Sequence, residues 1–307
     1  MKKYLVLGGS GFIGRNIVRK LSEKNKIVVA DLNLSDEFKF NPNISFEKLD
    51  FVNTTDFKPY LQDVDTVVHL ISTVLPTDGI ENINKEIQEN IFPTINLLDS
   101  MVSMGIPNIL FMSSGGTVYG NMNNEVISEN ANKLPICKYA VHKLMVEHYL
   151  HLYNIYHKLN YKIIRAANPY SSEIKQNKMQ GLIPILINKV ISGEDITIWG
   201  DGNNIRDYIY IDDLVDAFIA LDEYHGEEKI FNVGTGKGYS INQVLTFIKE
   251  YLDIETVNVL YEKERDCDVN RNVLDISRIK ECTDWHPKIG IREGIRLSVE
   301  SLKQHLQ

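Results

Sequence analysis

Seven residues near the start, Gly8-Gly9-Ser10-Gly11-Phe12-Ile13-Gly14, follow a short apolar run at 4–7 and lead into a helical pattern. Glycines at 8, 11 and 14 let the backbone turn tightly from strand to helix, and the new helix presents unpaired N–H groups and a positive dipole at its start. A turn of this kind sits inside a βαβ unit, which commits the chain to a parallel sheet with helices on both faces. The first half keeps that rhythm. β-Branched runs at 27–30, 44–48, 66–70, 109–112 and 162–165 alternate with helical patterns, the longest at 83–104 and 139–156. Pro93 removes one helical hydrogen bond and predicts an irregularity in the first of these.

After Asn168-Pro169-Tyr170 the rhythm loosens, with a helix expected at 182–191, strands at 196–199 and 207–211, and helices at 214–221 and 241–251. The expected fold class is α/β: a Rossmann-type doubly wound parallel sheet over 1–167, to which segments near 205–235 return, and a smaller interleaved C-terminal lobe over 168–307 that holds the substrate. With 307 residues, 43% of them hydrophobic, the chain is large enough to bury such a core. Acidic residues outnumber Lys and Arg by 41 to 33, a formal net charge of -8, which leaves no cationic excess to neutralise a nucleic-acid backbone. Cys137, Cys267 and Cys282 are far apart and form no Cys-x-x-Cys pair, so neither a disulfide framework nor a metal site is expected, and a reducing cytoplasm suits the chain. No apolar run has the length of a signal-peptide core or a bilayer span, so no membrane association is expected.

Asp31 ends the second expected strand, at the distance from the glycines where a carboxylate accepts hydrogen bonds from an adenosine ribose diol. The same charge repels a 2′-phosphate, so the expected cofactor is NAD rather than NADP. The alternative for the glycines is a tight turn with close helix–sheet packing, and for Asp31 a simple cap. Asp50 either reaches the adenine or caps the turn after the third strand. Asn90 is unusual inside a helix and is expected to bond backbone at the adjoining strand end, beside the cofactor. Phe12, Ile13, Phe51, Leu70 and Ser113 complete the expected cofactor contacts.

The chain has one Tyr-x-x-x-Lys, Tyr139-Ala140-Val141-His142-Lys143. Four residues apart on a helix, the two side chains share a face, and the ammonium favours phenolate. Lowering a tyrosine by about three units from ~10 takes roughly 4 kcal/mol, a demand that Lys143 and a positive nicotinamide ring meet jointly. Read alone, the motif is better explained as a solvated lysine beside a half-buried tyrosine. What lifts it is Ser113-Ser114-Gly115-Gly116-Thr117-Val118-Tyr119-Gly120 at the end of the preceding strand, where hydroxyls point into the ligand-binding crevice of a parallel sheet.

Together these motifs resemble the extended short-chain dehydrogenase/reductase family, and within it the nucleotide-sugar epimerases, over nearly the whole length. The likeness extends through Glu89-Asn90, Asn168-Pro169-Tyr170, Trp199-Gly200-Asp201-Gly202, Arg206-Asp207-Tyr208-Ile209-Tyr210-Ile211-Asp212-Asp213 and Trp285-His286-Pro287. By that resemblance Tyr139 is the general base, Lys143 binds the nicotinamide ribose and tunes Tyr139, and Asn168 touches the nucleotide-sugar. Arg206 and Arg265 match arginines that grip the diphosphate, where a guanidinium bonds two oxygens at once. Without the resemblance, Arg206 pairs equally well with Asp207 or Asp212. Arg271 is either a second clamp or a solvent-facing side chain.

One position departs from the pattern. Gly115 stands where the family has a Ser or Thr that bonds the reacting sugar oxygen, so that hydroxyl comes from Ser114 or Thr117 or is missing. Gly116 and Thr117 also stand where dehydrating and decarboxylating relatives carry an acidic residue. The resemblance thus implies inversion at C4 of a UDP-hexose or UDP-N-acetylhexosamine through a transient 4-keto sugar. Asn272, in place of a bulky tyrosine, leaves room for an N-acetyl group. The rivals are a nucleotide-sugar reductase or dehydratase, and an NAD-binding protein with little catalysis. A homodimer through 83–104 and 139–156 is also implied, although apolar faces on these helices equally serve to cover the sheet.

Overall fold

The computed structural model describes residues 1–122, 125–171, 181–265 and 267–306. In chain order the elements begin β1 (Lys3–Leu7), α1 (Phe12–Leu21), β2 (Lys26–Asp31), β3 (Ile44–Lys48), β4 (Thr66–His69), α2 (Ile83–Met104), β5 (Asn108–Ser114), α3 (Lys138–His157) and β6 (Asn160–Ala166). They continue with β7 (Asn168–Tyr170), α4 (Leu182–Ser192), β8 (Ile196–Trp199), β9 (Ile205–Tyr210), α5 (Ile211–Glu223) and β10 (Ile230–Val233). The last are β11 (Gly238–Ser240), α6 (Ile241–Leu252), β12 (Val259–Glu262), β13 (Arg271–Asn272), α7 (Ser277–Cys282) and α8 (Ile291–Leu306).

Seven strands form one sheet in the order β10-β6-β5-β4-β1-β2-β3, and the pairs from β5 to β3 are all parallel. The chain moves outward from β1 through β2 to β3 and then crosses back to β4. The C-terminal ends of β1 and β4 therefore flank the point where the winding reverses, which is where open α/β sheets bind ligands. Strands covered on both faces read as continuous apolar runs, and Tyr4, Leu5, Val6 and Leu7 are all buried. Leu5 and Leu7 share a core with Leu97, Leu98 and Met101 of α2 and Val146 and Leu150 of α3.

The irregularity expected at Pro93 does not break α2, which runs from Ile83 to Met104 with buried Pro93 inside it. Its apolar face is fixed by the core, and Asn90, Thr94 and Ser100 each donate a side-chain hydrogen bond to the carbonyl four residues back. Packing thus outweighs the one hydrogen bond that proline removes.

The chain divides into two compact units. The first comprises Met1–Val118, Cys137–Arg165 and Phe218–Phe231; the second comprises Tyr119–Ile136, Ala166–Ala217 and Asn232–Gln307. The segment that returns to the first unit is thus narrower than the 205–235 read from the sequence, and 119–136 joins the second unit rather than the first. No hydrophobic period announces that excursion. Its Ile127 is tied through backbone hydrogen bonds to Val273 and Asp275, too far along the chain for a local pattern to reveal. Within the second unit, β11, β9 and β13 form a sheet with β7 on β9, and β8 pairs with β12. Among the described residues, no helix is long and apolar enough to cross a membrane.

Candidate active site

The turn after β1 is shaped for close approach. Gly8 has φ +81°, its N–H donates to the Ala30 carbonyl at 3.0 Å, and a Cβ at Gly14 would run into the Gly8 carbonyl. α1 starts directly from this turn with Gly11 as its N-cap, no side-chain cap and no acidic residue in its first turn. Its leading N–H groups and dipole are therefore available to an anion. Ser10 keeps a buried hydroxyl without a protein partner in the same turn. Asp31, at the end of β2, accepts the Ser10 N–H at 3.0 Å and the Leu32 N–H at 2.8 Å. These bonds aim the carboxylate beside the turn and leave it lone pairs for a diol. A pyrophosphate on the turn and a ribose on Asp31 fit this cradle.

Asn90 does what a mid-helix asparagine was expected to do. It accepts the Thr73 N–H at 2.9 Å and donates to the Thr73 hydroxyl at 2.7 Å, anchoring the segment that follows β4. Phe12 and Ile13 are half-buried in the first turn of α1, and Leu70 is half-buried just after β4 with its N–H on the Leu7 carbonyl at 3.2 Å. Asp50 and Phe51 also make contacts within the protein. The exposed Asp50 carboxylate accepts the Asn53 N–H at 3.3 Å and the Asn53 Nδ2 at 2.8 Å, and the Asn53 side chain holds it below the usual carboxylate range. It caps its turn, the second of the two roles its sequence allowed. The Phe51 ring is buried against Phe57 and His69, so its side chain belongs to the core.

Tyr139 and Lys143 lie in the first turns of α3, beside the end of β5. The Ser114 side chain lies beside the Tyr139 hydroxyl, and Thr117 Oγ1 donates to Ser114 Oγ at 2.9 Å. The hydroxyls nearest the position of Gly115 are thus those of Ser114 and Thr117, bonded to each other. Lys143 is buried. Its Nζ donates to the Met112 carbonyl at 2.8 Å, 4.8 Å from the Phe111 ring centroid and 5.6 Å from that of Tyr139.

Burial pushes the Tyr139 phenol up to about 12, with the neighbouring Ser114 side chain opposing, and brings the Lys143 ammonium down to about 8, with the Glu147 carboxylate opposing. Forming phenolate at neutral pH from that starting point takes about 7 kcal/mol of differential stabilisation. One neighbouring opposite charge moves a pKa by about 1–3 units. Lys143 and a positively charged ring against the phenol would act in the same direction.

Ser113 turns away from this group. Its hydroxyl donates to Glu147 Oε1 at 2.5 Å, inside a buried pair in which Arg165 reaches Glu147 through Nε at 3.1 Å and a terminal nitrogen at 2.5 Å. That commitment removes the Ser113 side chain from the expected cofactor contacts. The sequence reading passed over Glu147 and Arg165, although the spacing of Glu147, four residues beyond Lys143, places it on the same helical face.

In the second unit, Arg206 sits half-buried on β9 and donates to the Ile205 carbonyl at 3.0 Å. Burial lowers its guanidinium below the usual range and the charge of Arg265 adds to that, against the opposing effect of Tyr208 and Asp268. Arg265 is held by two bonds to Asp268, at 3.0 and 3.2 Å, with its guanidinium carbon 5.5 Å from the Trp199 ring centroid. Two guanidinium groups near enough to repel each other mark a place suited to an anion.

The Asp207 carboxylate, the alternative partner of Arg206, instead accepts the Thr235 N–H and hydroxyl at 2.9 and 2.6 Å and the Gly236 N–H at 3.0 Å. Asn168 donates to the Asp207 carbonyl at 2.9 Å. Asn272 is buried on β13 as the register partner of Arg206. Arg271 bonds the Glu125 carbonyl at 3.2 Å, and the Trp285 indole bonds the Asp213 carbonyl at 2.9 Å, a packing role.

An anion-ready glycine turn with a carboxylate poised for a ribose, on the same sheet as a half-buried tyrosine beside a buried lysine and a strand-end hydroxyl, defines a nicotinamide-dependent enzyme of the extended short-chain dehydrogenase/reductase class. The chain belongs to the NAD dependent epimerase/dehydratase family, whose model matches residues 4–234. It is 34% identical, over 98% of both chains, to a putative UDP-glucose 4-epimerase of Methanocaldococcus jannaschii. It is also 32% identical, over 97% of both chains, to a dTDP-4-dehydro-6-deoxyglucose reductase of Escherichia coli. The crystal structure of a UDP-glucose 4-epimerase of Thermotoga maritima with UDP-glucose matches with a TM-score of 0.91 at 30% identity, covering 99% of this chain and 100% of that one. NAD is the cofactor of the family, and the cradle of Gly8, Gly11, Gly14 and Asp31 suits it.

Proposed function

We propose that the protein inverts C4 of a UDP-hexose or UDP-N-acetylhexosamine through a transient 4-keto sugar. The observation that carries this reading is the Thr117–Ser114 hydroxyl pair beside Tyr139 and the buried Lys143 at the end of β5. Tyr139 takes the proton of the sugar 4-hydroxyl, and Ser114, backed by Thr117, holds that oxygen in line. Lys143 binds a ribose hydroxyl and stabilises the phenolate. Bound NAD supplies a positively charged ring that accepts the C4 hydride and later returns it. After the keto sugar turns and presents its other face for the hydride to return to C4, Tyr139 gives its proton back to the 4-oxygen. Asn168, Arg206 and Arg265 hold the nucleotide diphosphate. Gly116 and Thr117 offer no carboxylate for dehydration or decarboxylation, which favours simple inversion.

The absence of a bulky side chain at Asn272 supports acceptance of N-acetyl sugars. Turnover of UDP-glucose and UDP-GlcNAc, followed by NMR, tests this point, and strict rejection of the acetylated sugar sinks it. The second reading is a reductase acting on a nucleotide-bound keto sugar, favoured by the identity to the Escherichia coli reductase. Stoichiometric NADH consumption distinguishes it, because inversion leaves the reducing equivalents unchanged. A homodimer through α2 and α3 is part of the same proposal. It is supported by Phe92 on α2 and Val141, Leu152, Ile155 and Tyr156 on α3, all exposed.

A further inference from the structure

Glu147, Arg165 and Ser113 form a charged network that no step of the proposed reaction uses. Only 5%, 2% and 3% exposed, respectively, they join α3, β6 and the end of β5. Its place in the fold is specific. Ser113 immediately precedes Ser114, whose side chain lies beside Tyr139, and Glu147 lies one helical turn beyond Lys143. A carboxylate anchored on one side by a guanidinium and on the other by a serine cannot swing away from its helix, so its charge stands at a fixed distance from the ammonium.

We propose that Glu147 is a positioning residue: gripped by Arg165 and Ser113, it locks the start of α3 to the end of β5 and provides the counter-charge that keeps the Lys143 ammonium charged in a buried setting. This rests on the reading that Lys143 serves NAD and Tyr139. The other groups facing Lys143 cannot do this work. On β5 they are the Phe111 ring and the Met112 carbonyl; on α3, the Tyr139 phenol; on β4, His69, which burial holds neutral and lowers to about 3. Among the described residues, Glu147 is the anion whose charge acts against the burial of Lys143.

The test compares the NAD-loaded enzyme with E147Q and with the double variant E147Q/R165M. The double variant removes both charges together and so avoids stranding a buried guanidinium if E147Q fails to fold. Without the carboxylate, Lys143 loses its proton at lower pH, by roughly one unit or more. The expected result is a deficit that depends on pH. Turnover of the double variant approaches that of the parent at acidic pH and falls progressively behind as pH rises through neutrality. NAD affinity, measured by calorimetry across the same range, diverges in the same way. A merely structural network would lower turnover and affinity by a constant factor at every pH, and that result, or no change at all, overturns the proposal. The calorimetric arm needs no turnover. If the parent binds NAD but inverts no sugar, the functional reading fails while the test of Glu147 stands.

Discussion

Ser114 carries more of the chemistry than its place in the motif suggests. Its hydroxyl lies beside Tyr139 and accepts from Thr117, so on the proposed reading its replacement removes a positioned donor at the reacting oxygen. Ser114→Ala is expected to lower kcat by about 10²–10³ with NAD content unchanged, as read by kinetics and by cofactor released on denaturation. Equal activity would move the role to Thr117. Tyr139→Phe removes the base itself and is expected to cost about 10²–10⁴ in rate. Asp31 acts on recognition rather than rate. Its carboxylate is aimed by two backbone N–H groups, and Asp31→Ala is expected to weaken NAD and narrow the NAD-to-NADP affinity ratio in calorimetric titrations. An unchanged ratio would refute the assignment.

At the scale of elements, the β1–α1 turn and the α2/α3 pair make separate predictions. Gly14→Ala places a Cβ against the Gly8 carbonyl, so the turn must open and NAD binding should be lost, measured as cofactor retained after gel filtration. On α3, Val141, Leu152 and Ile155 are exposed at spacings of eleven and three residues, which put them on one stripe of the helix. Leu152→Glu combined with Phe92→Glu is expected to shift a dimer to monomer in light scattering. An unchanged mass in the variant, or a monomeric parent, would contradict the proposed interface.

The same elements show what a sequence can disclose. α2 and the early strands were legible because burial on one stripe or on two faces imposes a period on the residues themselves. Strands β7, β11 and β13 are two or three residues long, too short to show a period, and were missed. In the site, Tyr139, Lys143 and the glycines announced themselves by spacing. Which serine lies beside Tyr139, and that Ser113 turns to Glu147, depends on how the end of β5 meets α3, which no spacing encodes.

For the whole molecule, the account requires NAD to stay bound through a cycle that leaves it unchanged. A ligand held by the native state alone stabilises it, by about 2.7 kcal/mol at a hundredfold excess over Kd, so added NAD should raise the melting temperature and Asp31→Ala should blunt that rise. The net charge of -8 argues for small-molecule partners over nucleic acid. The most direct measurement uses UDP-glucose carrying deuterium at C4, incubated with NAD-loaded enzyme and followed by NMR. The account predicts the C4 epimer with deuterium still on C4 and no accumulation of NADH. Loss of the label to solvent, or no inversion by enzyme confirmed to hold NAD, would contradict it.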